Sequence, residues 1–317
     1  MLNVIILAIL IVLAILLFRW GILAGRLRNP FVKWLGTSLS LLVAVAVSAV
    51  SLLAIIGLVK ANARTAPVPV LELTGTPEQI KRGQAIADSF CGACHTATGT
   101  LTGGIDIGKH FPLPFGSFVS ANLTPAGHLQ QWSDGEVFRA IRNGVGATDD
   151  WLTVMSYTNA GKLSDADILA VIAYLRSLPA AGRPDVAPPD QFNLLGLVML
   201  GAGLMPTGNP VMTGVITAPP PGPTLQYGAY LLSYQDCRVC HGANLTGGVP
   251  GQIVPIGPDL NLVKQWKAEE FITTLRTGVD PGGHILDEHM PWREIGRMDD
   301  DSLRAIYLYL THMPDES

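Results

Sequence analysis

Cys91-Gly-Ala-Cys94-His95 and Cys237-Arg-Val-Cys240-His241 decide how this chain is read, and between them they use all four of its cysteines. A Cys-x-x-Cys-His run is the attachment signature of c-type haem: the cysteines form thioethers and the adjacent histidine is held against the iron as its proximal ligand. A single Cys-x-x-Cys serves equally well as a redox dithiol or half of a zinc site. Two copies, each followed by histidine and leaving no cysteine over, favour two covalent haem c groups above zinc or thiol chemistry.

The 317 residues have room for two or three domains. The mean hydropathy of +0.34 is raised mainly by the N-terminal part. Residues 2–18 (LNVIILAILIVLAILLF) and 35–59 (LGTSLSLLVAVAVSAVSLLAIIGLV) are almost wholly apolar. Each suffices for a membrane-spanning helix, the first extended by Trp20 and Gly21–Ala24. A cleaved signal peptide is the competing reading of the first run, which lacks a positive start and a clear small-residue cleavage site. Arg19, Arg26, Arg28 and Lys33 lie between the runs, so the positive-inside rule makes that loop cytoplasmic and puts everything after Lys60 outside. Lys60 and Arg64 oppose this asymmetry without reversing it. The periplasmic side is also where bacteria attach haem covalently.

All 25 acidic residues follow residue 71, whereas 15 of the 21 basic ones follow Arg64. The resulting net charge near −10 from residue 65 onward argues against nucleic acid. It permits a basic docking partner, or serves solubility alone.

The outer part repeats itself. Gly83 precedes Cys91 as Gly228 precedes Cys237; Leu101-Thr-Gly-Gly104 matches Leu245-Thr-Gly-Gly248. Trp132 and Glu136 lead to Arg142-Asn-Gly-Val145 as Trp266 and Glu270 lead to Arg276-Thr-Gly-Val279. Ala173-Tyr-Leu175 matches Leu308-Tyr-Leu310, with Pro179 and Pro314 beyond. This is one domain present twice. The organisation expected is an anchor at 1–64, domains at 65–180 and 224–317, and a Pro/Gly-rich linker at 181–223.

Each copy reads as helical, giving an all-α fold. Thr76-Pro77-Glu78-Gln79 supplies an N-cap, a proline at the first helical position and a capping-box glutamine. Ser164 and Asp299 cap closing helices whose apolar residues (Ile168, Val171, Ile172, Leu175; Leu303, Ile306, Leu310) recur at helical spacing. A glycine on each opening helix is expected against an aromatic of the closing one: Gly83 near Tyr174, Gly228 near Tyr309.

Residues 76–180 and 224–314 together resemble class I c-type cytochromes: N-terminal helix, Cys-x-x-Cys-His, loops, axial methionine, C-terminal helix. Ala121-Asn-Leu-Thr-Pro125, Trp132-Ser-Asp-Gly-Glu136 and Arg139-Ala-Ile-Arg-Asn-Gly144 are similar to the cytochrome subunits of periplasmic membrane dehydrogenases. Two spans before two haem domains also resemble the diheme subunit of C-family haem-copper oxidases, although that subunit's signature loop between the spans is not evident here.

The resemblance implies distal methionines. Met290-Pro-Trp292 is similar to the family's ligand loop, and Met155 holds the same register to its closing helix, nine residues before Ser164 as Met290 is nine before Asp299. Met155 is followed by serine instead of proline. Core packing is the competing role for either methionine; Met298 is the nearest rival in the second copy, and His110, His128, His284 and His289 do not recur between copies. Gly257-Pro258-Asp-Leu260 resembles the loop whose proline carbonyl accepts the proximal histidine N–H; the first copy has Ser120-Ala121-Asn122-Leu123 there. Trp132, Arg142, Trp266 and Arg276 are candidates for haem propionates, with loop packing as the alternative.

The linker contains a twelve-residue apolar segment, 194–205, too short to span a bilayer. It is expected to pack between the haem domains; the other reading is a patch for a membrane partner. Thioether ligation raises haem potential relative to bis-histidine, which suits an electron carrier. The expected protein is a membrane-anchored diheme cytochrome of the cytoplasmic membrane. It would serve subunits of a respiratory or dehydrogenase complex, or a soluble carrier, without catalysis of its own. A diheme peroxidase would need an iron with an open distal site, and a haem-based sensor would need an output domain that is not evident.

Overall fold

The computed structural model describes residues 2–96, 100–184, 187–252 and 254–313. It opens on two long helices, α1 (Leu2–Ala24) and α2 (Pro30–Ala61). At 1.5 Å per residue these are about 35 and 48 Å long, enough to cross a hydrocarbon core. Asn29 starts α2: its side chain accepts from the amides of Phe31 and Val32, and Pro30 takes the first helical position, where a missing N–H costs nothing. The buried face of α2 consists of Ser40, Ala44, Ser51, Ala54 and Gly57, while Trp34, Leu42 and Val59 are exposed. Small residues inside and large apolar ones outside is the pattern of helices packed in lipid, where close backbone approach replaces hydrophobic burial.

The first copy follows with α3 (Pro77–Ile86), a π-helical turn over Ala87–Cys91, α4 (Gly92–His95), α5 (Asp134–Asn143), α6 (Thr153–Tyr157) and α7 (Asp165–Ser177). Next come α8 (Leu194–Gly201) and then the second copy: α9 (Leu225–Tyr234), α10 (Cys237–His241), α11 (Ala268–Thr277), α12 (Trp292–Ile295) and α13 (Asp300–Thr311). Among the described residues the only strands are β1 (Gly116–Ser117) and β2 (Gln191–Phe192), paired antiparallel. The fold is all-α, with the expected two apolar helices.

Helix α8 packs on α2. A Cβ on Gly57 would lie 1.9 Å from the Leu197 carbonyl oxygen, and one on Gly201 1.9 Å from that of Leu53. Lys60 Nζ donates to the carbonyls of Leu200 and Gly201 at 3.0 and 3.3 Å, closing the C-terminus of α8. The expectation that 194–205 packs between the haem domains is therefore corrected. The buried side chains Leu197 and Leu200 belong to a helix crossing that two glycines make close enough to work.

Within each copy the opening and closing helices cross at glycine, as expected. A Cβ on Gly83 would lie 1.8 Å from Ala170 O and 2.9 Å from Tyr174 Cβ; on Gly228, 2.0 Å from Ala305 O and 3.1 Å from Tyr309 Cβ. Ser164 and Asp299 cap α7 and α13, accepting from the amides of Asp167 and Ser302. Thr76 caps α3, accepting from Gln79 N. The Gln79 side chain reaches one residue further back than a capping box requires, taking Gly75 N at 2.8 Å. Pro314, expected to stop the last helix, lies outside the described residues.

The two copies share one core. At its centre the Arg82 guanidinium grips both Asp167 oxygens (2.8 and 2.9 Å) and donates to Tyr227 Oη of the other copy at 2.8 Å. Tyr230 Oη donates to Asp167 and accepts from Ser164 N. Burial alone would pull the guanidinium pKa down; the hydrogen bonds and charge of Asp167 outweigh it and leave Arg82 firmly charged. Tyr234, fully buried, meets Phe90 edge-on with ring centres 5.8 Å apart. These two rings stand one residue before Cys91 and three before Cys237.

Candidate haem sites

The first motif lies where the π-helical turn passes into α4, so Cys91, Cys94 and His95 follow one another around a continuous helical path. Such π turns cluster at functional sites. The Leu-Thr-Gly-Gly turn then clasps the histidine's partner strand. Gly103 N donates to His95 O, Gly104 N to Ser120 O, and Leu123 N to Leu101 O. Gly103 adopts φ +63°, and a Cβ there would lie 2.3 Å from Ala121 O. The second copy repeats each bond: Gly247 N to His241 O, Gly248 N to Gly257 O, Leu260 N to Leu245 O. The recurrence of this tetrapeptide in the sequence thus has a mechanical cause.

The clasp aims one carbonyl at each imidazole. His95 Nδ1 donates to Ala121 O and His241 Nδ1 to Pro258 O, both at 2.8 Å. With Nδ1 so engaged, Nε2 is left as the lone-pair nitrogen, the form a metal ligand needs, and the bond fixes ring orientation and raises basicity. Burial lowers the pKa of His95 and so keeps it neutral. The first copy needs no proline for this contact; Ala121 supplies an equivalent carbonyl.

All four cysteines are unpaired thiols. Burial pushes Cys91 and Cys237 up to about 12 and Cys94 up to about 11. They are neutral thiols and not the thiolates that zinc binding or disulfide exchange requires. Among the described residues no group of three or more His, Cys, Asp or Glu is arranged to hold an ion. Gln235 Nε2, buried two residues before Cys237, has no hydrogen-bond partner. It is a donor that sequence reading missed, since a glutamine beside the motif has no periodic signature. Buried neutral thiols, an oriented imidazole and an orphaned donor at the motif fit covalent haem.

Met155 is half-buried in α6. Met290, also half-buried, packs against the core just before Pro291 and α12. The rival Met298 is 5% exposed and belongs to the core cluster, so its side chain is spent on packing. His110, His128, His284 and His289 are all exposed.

The arginines expected at propionates have another task. Arg142 donates to the carbonyls of Gly161 and Leu163 and to Asp165 Oδ1 at 2.6 Å. Arg276 donates to Asp300 Oδ1 at 2.6 Å. In both copies the arginine ties the middle helix to the first acidic residue of the closing helix, which corrects the propionate reading for this pair. Trp132 and Trp266 pack against the core; their carbonyls accept from Arg176 and from Tyr307 Oη at 2.7 Å. These contacts match the loop-packing alternative.

Asp236 directly precedes the second motif at φ +58°. Its Oδ1 accepts from Asn159 N and Nδ2 at 2.9 and 2.6 Å, joining the turn after α6 in one copy to the haem motif of the other. Burial pushes its carboxyl up to about 6.

This is the class of helical domain that encloses a covalently attached haem, present twice. The family model for cytochrome c matches residues 80–179 and 226–314, more than half of the chain, and the chain belongs to the cytochrome c family. It is an electron-transfer cytochrome with two covalently bound c-type haems. It is similar to a diheme cytochrome c-type protein of Cereibacter sphaeroides, 24% identical over 76% of this chain and 88% of that protein. It is also similar to a nicotinate dehydrogenase polypeptide of Pseudomonas putida, 27% identical over 75% of this chain and 21% of that polypeptide. A third relative is the fructose dehydrogenase cytochrome subunit of Gluconobacter japonicus, 29% identical over 41% of this chain and 28% of that protein. The chain thus spans nearly all of the first relative and under a third of the other two.

Proposed function

We propose that this chain is a membrane-anchored diheme electron carrier. Its haem domains face the periplasm, and it passes electrons as a subunit of, or link between, respiratory complexes, from a dehydrogenase or quinol-oxidising module toward an oxidase. The first haem is held by Cys91 and Cys94, with His95 and Met155 as axial ligands. The second is held by Cys237 and Cys240, with His241 and Met290. Bound haem supplies one-electron chemistry; the chain supplies ligation, burial and route. The observation that carries the reading is the identical imidazole–carbonyl contact in both copies. Two sites built alike and joined through one core suit relay in series better than one working and one auxiliary haem. The relatives that belong to dehydrogenases support a dehydrogenase as donor.

The anchor is read from two helices long and apolar enough to span, with four basic residues in or beside their short connection. Reporter fusions after Lys60 are expected to behave as periplasmic and those between Arg26 and Lys33 as cytoplasmic. The reverse pattern would overturn both the orientation and the route of haem attachment.

A further inference from the structure

The same loop is covered in one copy and bare in the other. In the first, Val145 bridges Trp151 across a tight turn, and both are buried, 0% and 6% exposed. In the second, Val279 bridges Ile285 across a turn of equal length, and these are 39% and 73% exposed. The segment between the copies accounts for the difference. It straps the first copy: Asn209 N donates to Ser156 O at 2.7 Å, Asn209 Nδ2 donates to Thr158 O, and Met212 N donates to the Asn143 side chain at 2.7 Å. Asp190 takes the amide of Thr153. In the second copy every hydrogen bond of residues 279–290 among those described stays between Thr277 and Trp292.

We propose that the bared Val279–Ile285 loop, flanked by Asp287 and Glu288, is the docking surface for a separate redox protein with a basic rim, so that electrons leave or enter the chain at the second haem domain. The inference rests on the electron-carrier reading. Ile285 sits five residues before Met290, placing an apolar contact beside the second site. Asp287 and Glu288 are exposed and the outer part carries excess negative charge, so a basic partner is steered in. A small apolar centre with a charged rim suits short-lived encounters between redox proteins. A second copy of this chain fits poorly, because its acidic rim would meet another.

The test is stopped-flow electron exchange of the full-length, detergent-solubilised protein with a small lysine-rimmed c-type cytochrome. An acidic cytochrome serves as control. The wild-type rate constant is expected to fall steeply with added salt for the basic probe alone. Ile285→Asn is expected to lower it about tenfold. Asp287→Asn with Glu288→Gln should flatten the salt dependence. Reduction by a small-molecule mediator should be unchanged in every variant. Unaltered rates with normal mediator titration would overturn the docking surface alone; haems that no mediator titrates would overturn the electron-carrier reading as well. Sedimentation showing a wild-type dimer that Ile285→Asn dissociates would give this face to a second copy and sink the proposal.

Discussion

Gly228→Ala is expected to cost the second domain about 3 kcal/mol or more, and Gly83→Ala to do the same to the first. Alanine gains up to about 1 kcal/mol of helix propensity over glycine, so the sign depends on contact. The added methyl would lie 2.0 Å from Ala305 O in one copy and 1.8 Å from Ala170 O in the other. A backbone carbonyl inside a helix cannot rotate away, so α9 must lift from α13, or α3 from α7. The haem motifs directly follow these opening helices, so displaced helices also carry the cysteines out of place. Thermal unfolding by circular dichroism and haem content per chain are the measurements. Gly214→Ala, where a Cβ meets nothing within 4 Å, is the control and should change stability by less than about 0.5 kcal/mol. An unchanged or raised Tm for Gly228→Ala would contradict the crossing described.

Asp167→Ala carries the second large effect, a loss of about 3–5 kcal/mol. The Asp167 side chain is 8% exposed and Arg82 27%, so the pair is mostly out of water. Removing the carboxylate leaves a buried cation without its partner and strips Tyr230 Oη of its acceptor. The loss reaches both copies, because Arg82 and Asp167 come from one and Tyr227 and Tyr230 from the other. Beyond a lower urea midpoint, unfolding is expected to separate into two transitions as the shared core divides. A single transition displaced by under about 1 kcal/mol would show that the network contributes little.

What could be read from the sequence was local or repeated. The Cys-x-x-Cys-His pairs, the Ser164 and Asp299 caps and the Gly83–Tyr174 and Gly228–Tyr309 contacts follow from residue type and spacing. What escaped depends on partners distant in the chain. The apolar residues 194–205 announce burial, yet nothing in them says that α2 is the surface, because the decisive glycines, Gly57 and Gly201, are far apart in sequence. Tyr227, Tyr230 and Tyr234 form a helical stripe whose partner, Arg82, belongs to the other copy. Arg142 and Arg276 recur at the same spacing because each clamps its closing helix, and a recurring basic residue near a haem motif invites the propionate reading. Ala121 matches Pro258 in function without matching it in identity, since a carbonyl is common to both.

The central claim is a closed electron carrier: two haems per chain, each with histidine and methionine at its axial positions. A redox titration of the intact protein combined with carbon monoxide difference spectra, against haem content by pyridine haemochrome, tests it most directly. The account predicts a haem-to-chain ratio of two and slow, substoichiometric carbon monoxide binding. It also predicts that Met155→Ala, at a position lacking the proline that follows Met290, opens the first site and lowers its potential. Rapid, stoichiometric carbon monoxide binding in the unmutated protein, together with turnover of peroxide, would contradict it and favour a diheme peroxidase.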